Sequence, residues 1–104
     1  LMGISTGPHY VTATFTLKDE EKKAQFLTIL NSPDGIAKTR EWPGNEHIHI
    51  FVDQENPLVV IIQQKWKQRS DHQKYYEHRV ETGMIDKIQE FGTLTVQHLG
   101  ATSY

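Results

Sequence analysis

The chain has no cysteine among its 104 residues, which removes disulfides, thiol nucleophiles and thiolate-held metals together. It also lacks an excess of either charge. Eleven Lys and Arg stand against 13 Asp and Glu, a net charge of −2, and the two signs are interspersed without a basic patch. Nucleic acid and anionic membrane are therefore not expected partners. Apolar residues are scarce, 37% even with tyrosine counted, so one small core must carry the fold unless association buries further surface. The longest strongly apolar run, Leu58 to Ile62, is far too short to cross a bilayer, and residues 1–7 lack the basic and apolar segments of a signal peptide. These absences predict a soluble, cytoplasmic protein, with 1–8 a flexible leader and 9–104 a single domain. No glycine-rich phosphate loop and no nucleophile-elbow serine occurs, which sets aside nucleotide cofactors and serine hydrolysis.

What is present is patterned. From His9 to Leu17 the residues alternate, with Val11, Ala13, Phe15 and Leu17 on one parity and Tyr10, Thr12, Thr14 and Thr16 on the other, which predicts a strand with one apolar face. Asp19 opens an acidic first turn, and Ala24, Leu27 and Leu30, widened by Phe26 and Ile29, form a helical stripe ended by Asn31-Ser32-Pro33. Residues 34–44 read as irregular or as a short helical piece, punctuated by Trp42-Pro43-Gly44. His47 to Val52 and Leu58 to Trp66 then form a hairpin about the polar turn 53–57. Pairing Val52 with Leu58 puts Ile48, Ile50 and Val52 on a face with Val60, Ile62, Gln64 and Trp66. Ser70 and Gln73 have capping-box spacing, predicting a helix from Asp71 to about Thr82. Gly83 breaks it, Met84, Ile85, Ile88 and Phe91 continue a helical stripe, and Thr93 to Leu99 forms the last strand.

This order predicts an α+β fold, a ferredoxin-like four-stranded antiparallel sheet with helices on one face. The other face would show Thr12, Thr14, His49, Phe51, Val59, Ile61, Thr93 and Thr95, too apolar at its middle for water. A homodimer packed through that face would bury it.

Several residues resemble the antibiotic biosynthesis monooxygenase family, of the dimeric α+β barrel superfamily. The likeness covers about His9 to Leu99. It rests on Thr39-Arg40-Glu41-Trp42-Pro43-Gly44 before the second strand, the turn Asp53 to Pro57, and Trp66 ending the third strand. His72, Tyr75 and Arg79 follow that tryptophan at offsets of six, nine and thirteen, and His78-Arg79-Val80-Glu81-Thr82-Gly83 is similar to one branch of the family. Two departures stand out: Gln64 where many members have glutamate, and His78 where that branch often has tryptophan. Haem-degrading relatives need an asparagine on the first strand and a histidine deep in the later helical segment. Neither is here, so the haem-degrading roles are not carried over.

The resemblance implies oxygenation of a small phenol, anthrol or quinol by molecular oxygen with no flavin, haem or metal. On a helix His72, Tyr75, Tyr76 and Arg79 share an arc of roughly 100°. The implied catalytic set is His72 as the base, Tyr75 as hydrogen-bond partner of the substrate oxygen, and Arg79 as oxyanion stabiliser. Gln64, Trp66, Tyr76 and Phe15 would bind the substrate. A structural reading stands beside this one: Tyr75, Tyr76 and Val80 as packing residues, Arg79 as a buried or rim ion-pair partner, Trp66 as a core plug, and His72 as an exposed histidine of the first turn. Two function classes compete with the oxygenase: a non-catalytic small-molecule-binding or dimerisation module, and an isomerase acting on a small oxygenated metabolite. The six histidines also raise a metal site, with His47-x-His49 on one strand face and a third ligand from His9 or His98, but the absence of an acidic neighbour argues for no metal.

Overall fold

Alternation as regular as that of HYVTATFTL can bury one face only, and in the computed structural model, which describes residues 7–102, it does. The expected leader lies outside the described residues apart from Gly7 and Pro8. The elements are β1 (His9–Leu17), α1 (Glu20–Leu30), α2 (Ile36–Glu41), β2 (Asn45–Val52), β3 (Val59–Trp66), α3 (Arg69–Glu81), α4 (Met84–Gln89) and β4 (Gly92–Gly100). The strands form one antiparallel sheet in the order β2-β3-β1-β4, so β1 and β3 are central. This is the ferredoxin-like arrangement. Among the described residues no helix is long and apolar enough to cross a membrane.

Ala13, Phe15 and Leu17 of β1, Val60 and Ile62 of β3 and Ile48 of β2 form the sheet side of the core, and Phe26 and Ile88 close it from the helices. Phe15 and Phe26 meet as tilted rings 4.5 Å apart. The expected stripe on α1 is rotated: Phe26 is fully buried while Ala24 is exposed. The larger side chain takes the core position because it removes more apolar surface from water. Asp19 caps this helix, its Oδ1 accepting the Lys22 amide at 2.7 Å. Asp19→Ala should cost about 1 kcal/mol in a urea titration, with the fold intact.

Two local expectations are corrected. Val52 lies opposite Val60, not Leu58. The turn absorbs the difference: Asp53 Oδ1 accepts the amides of Glu55 and Asn56, and Asn56 Oδ1 accepts that of Leu58, so Leu58 stays in the loop. A shift of two residues preserves parity, and Ile48, Ile50 and Val52 keep the predicted face. The capping box is absent. The helix α3 starts at Arg69 behind an extended Gln68 with no side-chain cap, and Gln73 Nε2 donates instead to Glu77 Oε2 at 3.3 Å. Gly83 does break the helix, with φ at 81°, a left-handed conformation that favours glycine. Gly44, at φ 92°, lets the turn before β2 pass against Asp71 and accept the Lys67 amide at its carbonyl, 2.8 Å away. That contact fixes the start of α3 beside the end of β3.

Candidate functional site

The inner face of the sheet, the one that carries Val11, Ala13 and Phe15, is not filled completely by the helices. A cleft remains, about 710 Å³ with its open mouth included, floored by Val11, Ala13, Phe15, Ile62 and Gln64 and roofed by residues of α1, α3 and α4. Six of the seven predicted site residues line it: Phe15, Gln64, His72, Tyr75, Tyr76 and Arg79. Trp66 lies at one end, fully buried, with His72 edge-on at 5.4 Å and Tyr75 at 5.2 Å between ring centroids. Trp66 Nε1 donates to Gln64 Oε1 at 2.9 Å, which satisfies the one polar atom of the indole and orients the carboxamide.

Arg79 is 4% exposed, and all three of its nitrogens are engaged. Nη1 donates to the Asp34 carbonyl at 2.7 Å, Nη2 to the Gly35 carbonyl at 2.9 Å and to Thr39 Oγ1 at 3.2 Å, and Nε to the Tyr75 hydroxyl at 3.0 Å. The Asp34 carboxylate adds an ion pair at 3.6 Å. This geometry matches the structural reading of Arg79: it clamps the loop that starts α2. The Tyr75 hydroxyl also lies 2.6 Å from Thr39 Oγ1. Accepting from Arg79 and paired with Thr39, it is fixed in place rather than free to swing.

His72 projects from the first turn of α3, yet it is 5% exposed, so the alternative of an exposed first-turn histidine is overturned. Burial lowers its pKa to about 4, and the charges of His98, His9 and Arg69 act in the same direction. Its ring makes no hydrogen bond among the described residues. His9 and His98 gather round it, with centroids at 6.4 and 5.4 Å, and His9 Nε2 lies 2.9 Å from His98 Nδ1. Burial lowers both of their pKa values as well. The sequence reading missed the gathering of His9 and His98 round His72. The signal was there in parity, since His9 continues the series Val11, Ala13, Phe15, Leu17 and His98 continues Leu94, Val96.

The metal idea on His47 and His49 is corrected in one respect. Those rings stack 6.0 Å apart on the outer face, whereas His9 and His98 stand on the inner rows, beside Trp66 and Val11, so neither can supply a third ligand. Among the described residues no group of three His, Cys, Asp or Glu is placed to hold a metal. His78 is half-buried against Trp42, with centroids 4.8 Å apart, not a plain surface residue.

A histidine held neutral makes folding depend on pH. The unfolded chain binds a proton at His72 near 6.5 and the folded one only near 4, so the unfolded state holds more protons between those values. Stability is fully present above about pH 6.5 and declines as pH falls toward 4. The loss expected from His72 is on the order of 2 kcal/mol, and His9 and His98 add to it in the same direction. Urea midpoints across this range in the parent and in His72→Gln check it, since the variant should flatten the slope.

No family model matches the chain, and no curated protein matches it. Solved structures do share its fold. A conserved protein from Methanosarcina mazei superposes with a TM-score of 0.81 at 15% identity, over 93% of this chain and 95% of that one. An antibiotic biosynthesis monooxygenase gives 0.73 at 21% identity, over 90% and 98%. A variant of SnoaB, a cofactor-independent oxygenase from Streptomyces nogalater, gives 0.72 at 10% identity, over 93% and 95%. The ferredoxin-like α+β fold of this chain is thus the one found in structures of antibiotic biosynthesis monooxygenases.

Proposed function

We propose that the chain is a monooxygenase of the antibiotic biosynthesis monooxygenase type, which oxidises a small phenol or quinol with molecular oxygen and no cofactor. The observation that carries this is His72: a buried imidazole, without a hydrogen-bond partner among the described residues, beside Trp66 at the end of an apolar cleft lined by Phe15, Tyr75 and Tyr76. The likeness in fold to oxygenase structures supports it.

In this reading the aromatic ring of the substrate lies on the floor formed by Val11, Ala13 and Phe15, with Gln64 and Tyr76 at its edge. His72 is neutral throughout the physiological range and can accept the phenolic proton. The phenolate formed beside the new imidazolium offsets the cost of charging it in a dry site. The phenolate then passes one electron to oxygen, and the radical pair joins as a carbon–oxygen bond. Loss of the proton on that carbon, with cleavage of the oxygen–oxygen bond, leaves a carbonyl and releases one water. Phenol and oxygen thus become quinone and water, with one oxygen atom in each. Tyr75 directs its hydroxyl under the control of Arg79 and Thr39, which makes Arg79 a positioning residue.

The test is oxygen uptake with anthrols and hydroquinones in metal-free buffer, comparing the parent with His72→Ala. Uptake by the parent and its loss in the variant are expected, and uptake indifferent to the substitution would refute the assignment. The three imidazoles at one end of the cleft also favour a second reading, an isomerase that moves protons on an oxygenated metabolite. Turnover that persists without oxygen would select it.

The proposal includes a homodimer formed through the outer face of the sheet. Phe51 is 54% exposed there, and its cross-strand neighbour Ile61 and Val59 are only half-buried. Phe51→Lys should shift sedimentation toward the monomer, and a parent that sediments as a monomer at every concentration would overturn this part.

A further inference from the structure

Beside the main cleft lies a second hollow of about 630 Å³, its open side included, bounded by Arg69, His72, Gln73, Tyr76, Val96 and His98. His72, Tyr76 and Val96 line both spaces, so the two meet at those side chains. Their chemistry differs sharply. The main cleft is aliphatic and aromatic over most of its wall, whereas this end brings together a guanidinium, two imidazoles and a carboxamide. The Arg69 side chain makes no ion pair or hydrogen bond among the described residues, and it is exposed on the first turn of α3. His72 is nine-tenths buried, faces both spaces and is equally without a partner.

The charged and titratable groups facing this hollow are Arg69 and His72 from α3, His98 from β4 and, behind it, His9 from β1. Arg69 acts on all three imidazoles, and no carboxylate is among the groups that do. Asp71, the acidic residue of the same helical turn, packs against Gly44 instead. A cluster that can carry this much positive charge and holds no anion of its own lacks its complement.

We propose that this end of the cleft is a carboxylate site, and that the ligand is an aromatic acid whose ring lies in the apolar cleft while its carboxylate is held by Arg69, His98 and His72. The inference rests on the aromatic-ligand reading of the cleft and adds the anionic group to it. A planar guanidinium with free donors matches the two oxygens of a carboxylate, and the neutral imidazoles can each donate one N–H. A bound anion also favours the protonated His98 imidazole that burial and Arg69 disfavour, so binding takes up a proton there while His72 stays neutral.

Calorimetric titration with 2-naphthoate, with the neutral 2-naphthalenemethanol and with acetate alone tests this. Near pH 6 the parent should bind naphthoate about tenfold more tightly than the alcohol. That preference should shrink near about pH 8, and the naphthoate enthalpy should change with the ionisation enthalpy of the buffer. Arg69→Gln and His98→Gln should each weaken naphthoate and leave the alcohol unchanged, since both side chains are exposed and their loss opens no core. Equal binding of the two aromatic compounds by the parent overturns the carboxylate site and leaves the cleft reading standing. So does acetate binding as tightly as naphthoate, which would make the site independent of the cleft. Failure of both aromatic compounds to bind overturns both readings.

Discussion

Arg79→Met should lower the stability of the folded chain by about 3–5 kcal/mol, the largest loss expected from a single polar side chain here. Methionine keeps much of the aliphatic stem, so the loss reads the guanidinium itself. Two backbone carbonyls, those of Asp34 and Gly35, lose charge-assisted donors at 2.7 and 2.9 Å, and Thr39 and Tyr75 lose theirs at 3.2 and 3.0 Å. The ion pair to Asp34 contributes little to this sum, because that carboxylate is 57% exposed and water screens it. Arg79→Lys should recover only part of the loss, since one ammonium cannot reach the loop carbonyls and the Tyr75 hydroxyl in the same fork. Urea unfolding of the three proteins measures this, and a loss below about 1 kcal/mol for Arg79→Met would contradict the clamp. The functional consequence follows from what the clamp holds. Residues 34–39 form one wall of the cleft, so Arg79 acts on any ligand through Tyr75 and that wall.

His72→Ala should reduce kcat/KM for phenol oxidation about 10²–10⁴-fold, the usual worth of a positioned general base. The effect should lie mostly in kcat, because the floor of Val11, Ala13 and Phe15 stays in place to bind the ring. The parent's rate should fall as pH drops toward 4, where the imidazole takes up a proton of its own and can no longer accept the substrate's. In the alanine variant the break near pH 4 should vanish, leaving a slow reaction that follows the fraction of free phenolate and rises steadily with pH. A variant as fast as the parent, or a break near pH 4 that survives the substitution, would remove His72 from the chemistry.

Much of this was legible in the residue pattern, and the reasons are specific. The strand β1 was read to the residue because a buried central strand cannot tolerate a break in alternation. The face shared by Ile48, Ile50 and Val52 also survived a wrong register, since parity is unaffected by a slip of two. The stripe on α1 was centred wrongly because periodicity alone did not say that Phe26 would outcompete Ala24 for the core. The capping box failed because Ser and Gln at the right spacing do not decide where the turn after β3 releases the chain. Long-range partners were the hardest to see. Nothing local links Arg79 to the carbonyls of Asp34 and Gly35, more than forty residues earlier, and the bond depends on α2 docking beside α3. His9 and His98 carried a readable parity, but joining them to His72 required knowing that β4 pairs with β1 and that α3 crosses above that end of the sheet.

The most direct measurement is a reaction under ¹⁸O₂ in metal-free buffer with a hydroquinone or anthrol that the parent consumes. One labelled atom in the product carbonyl and the other in water, formed by the parent and not by His72→Ala, is the predicted result. Product formed in the absence of oxygen, or a carbonyl carrying oxygen from solvent alone, would contradict it.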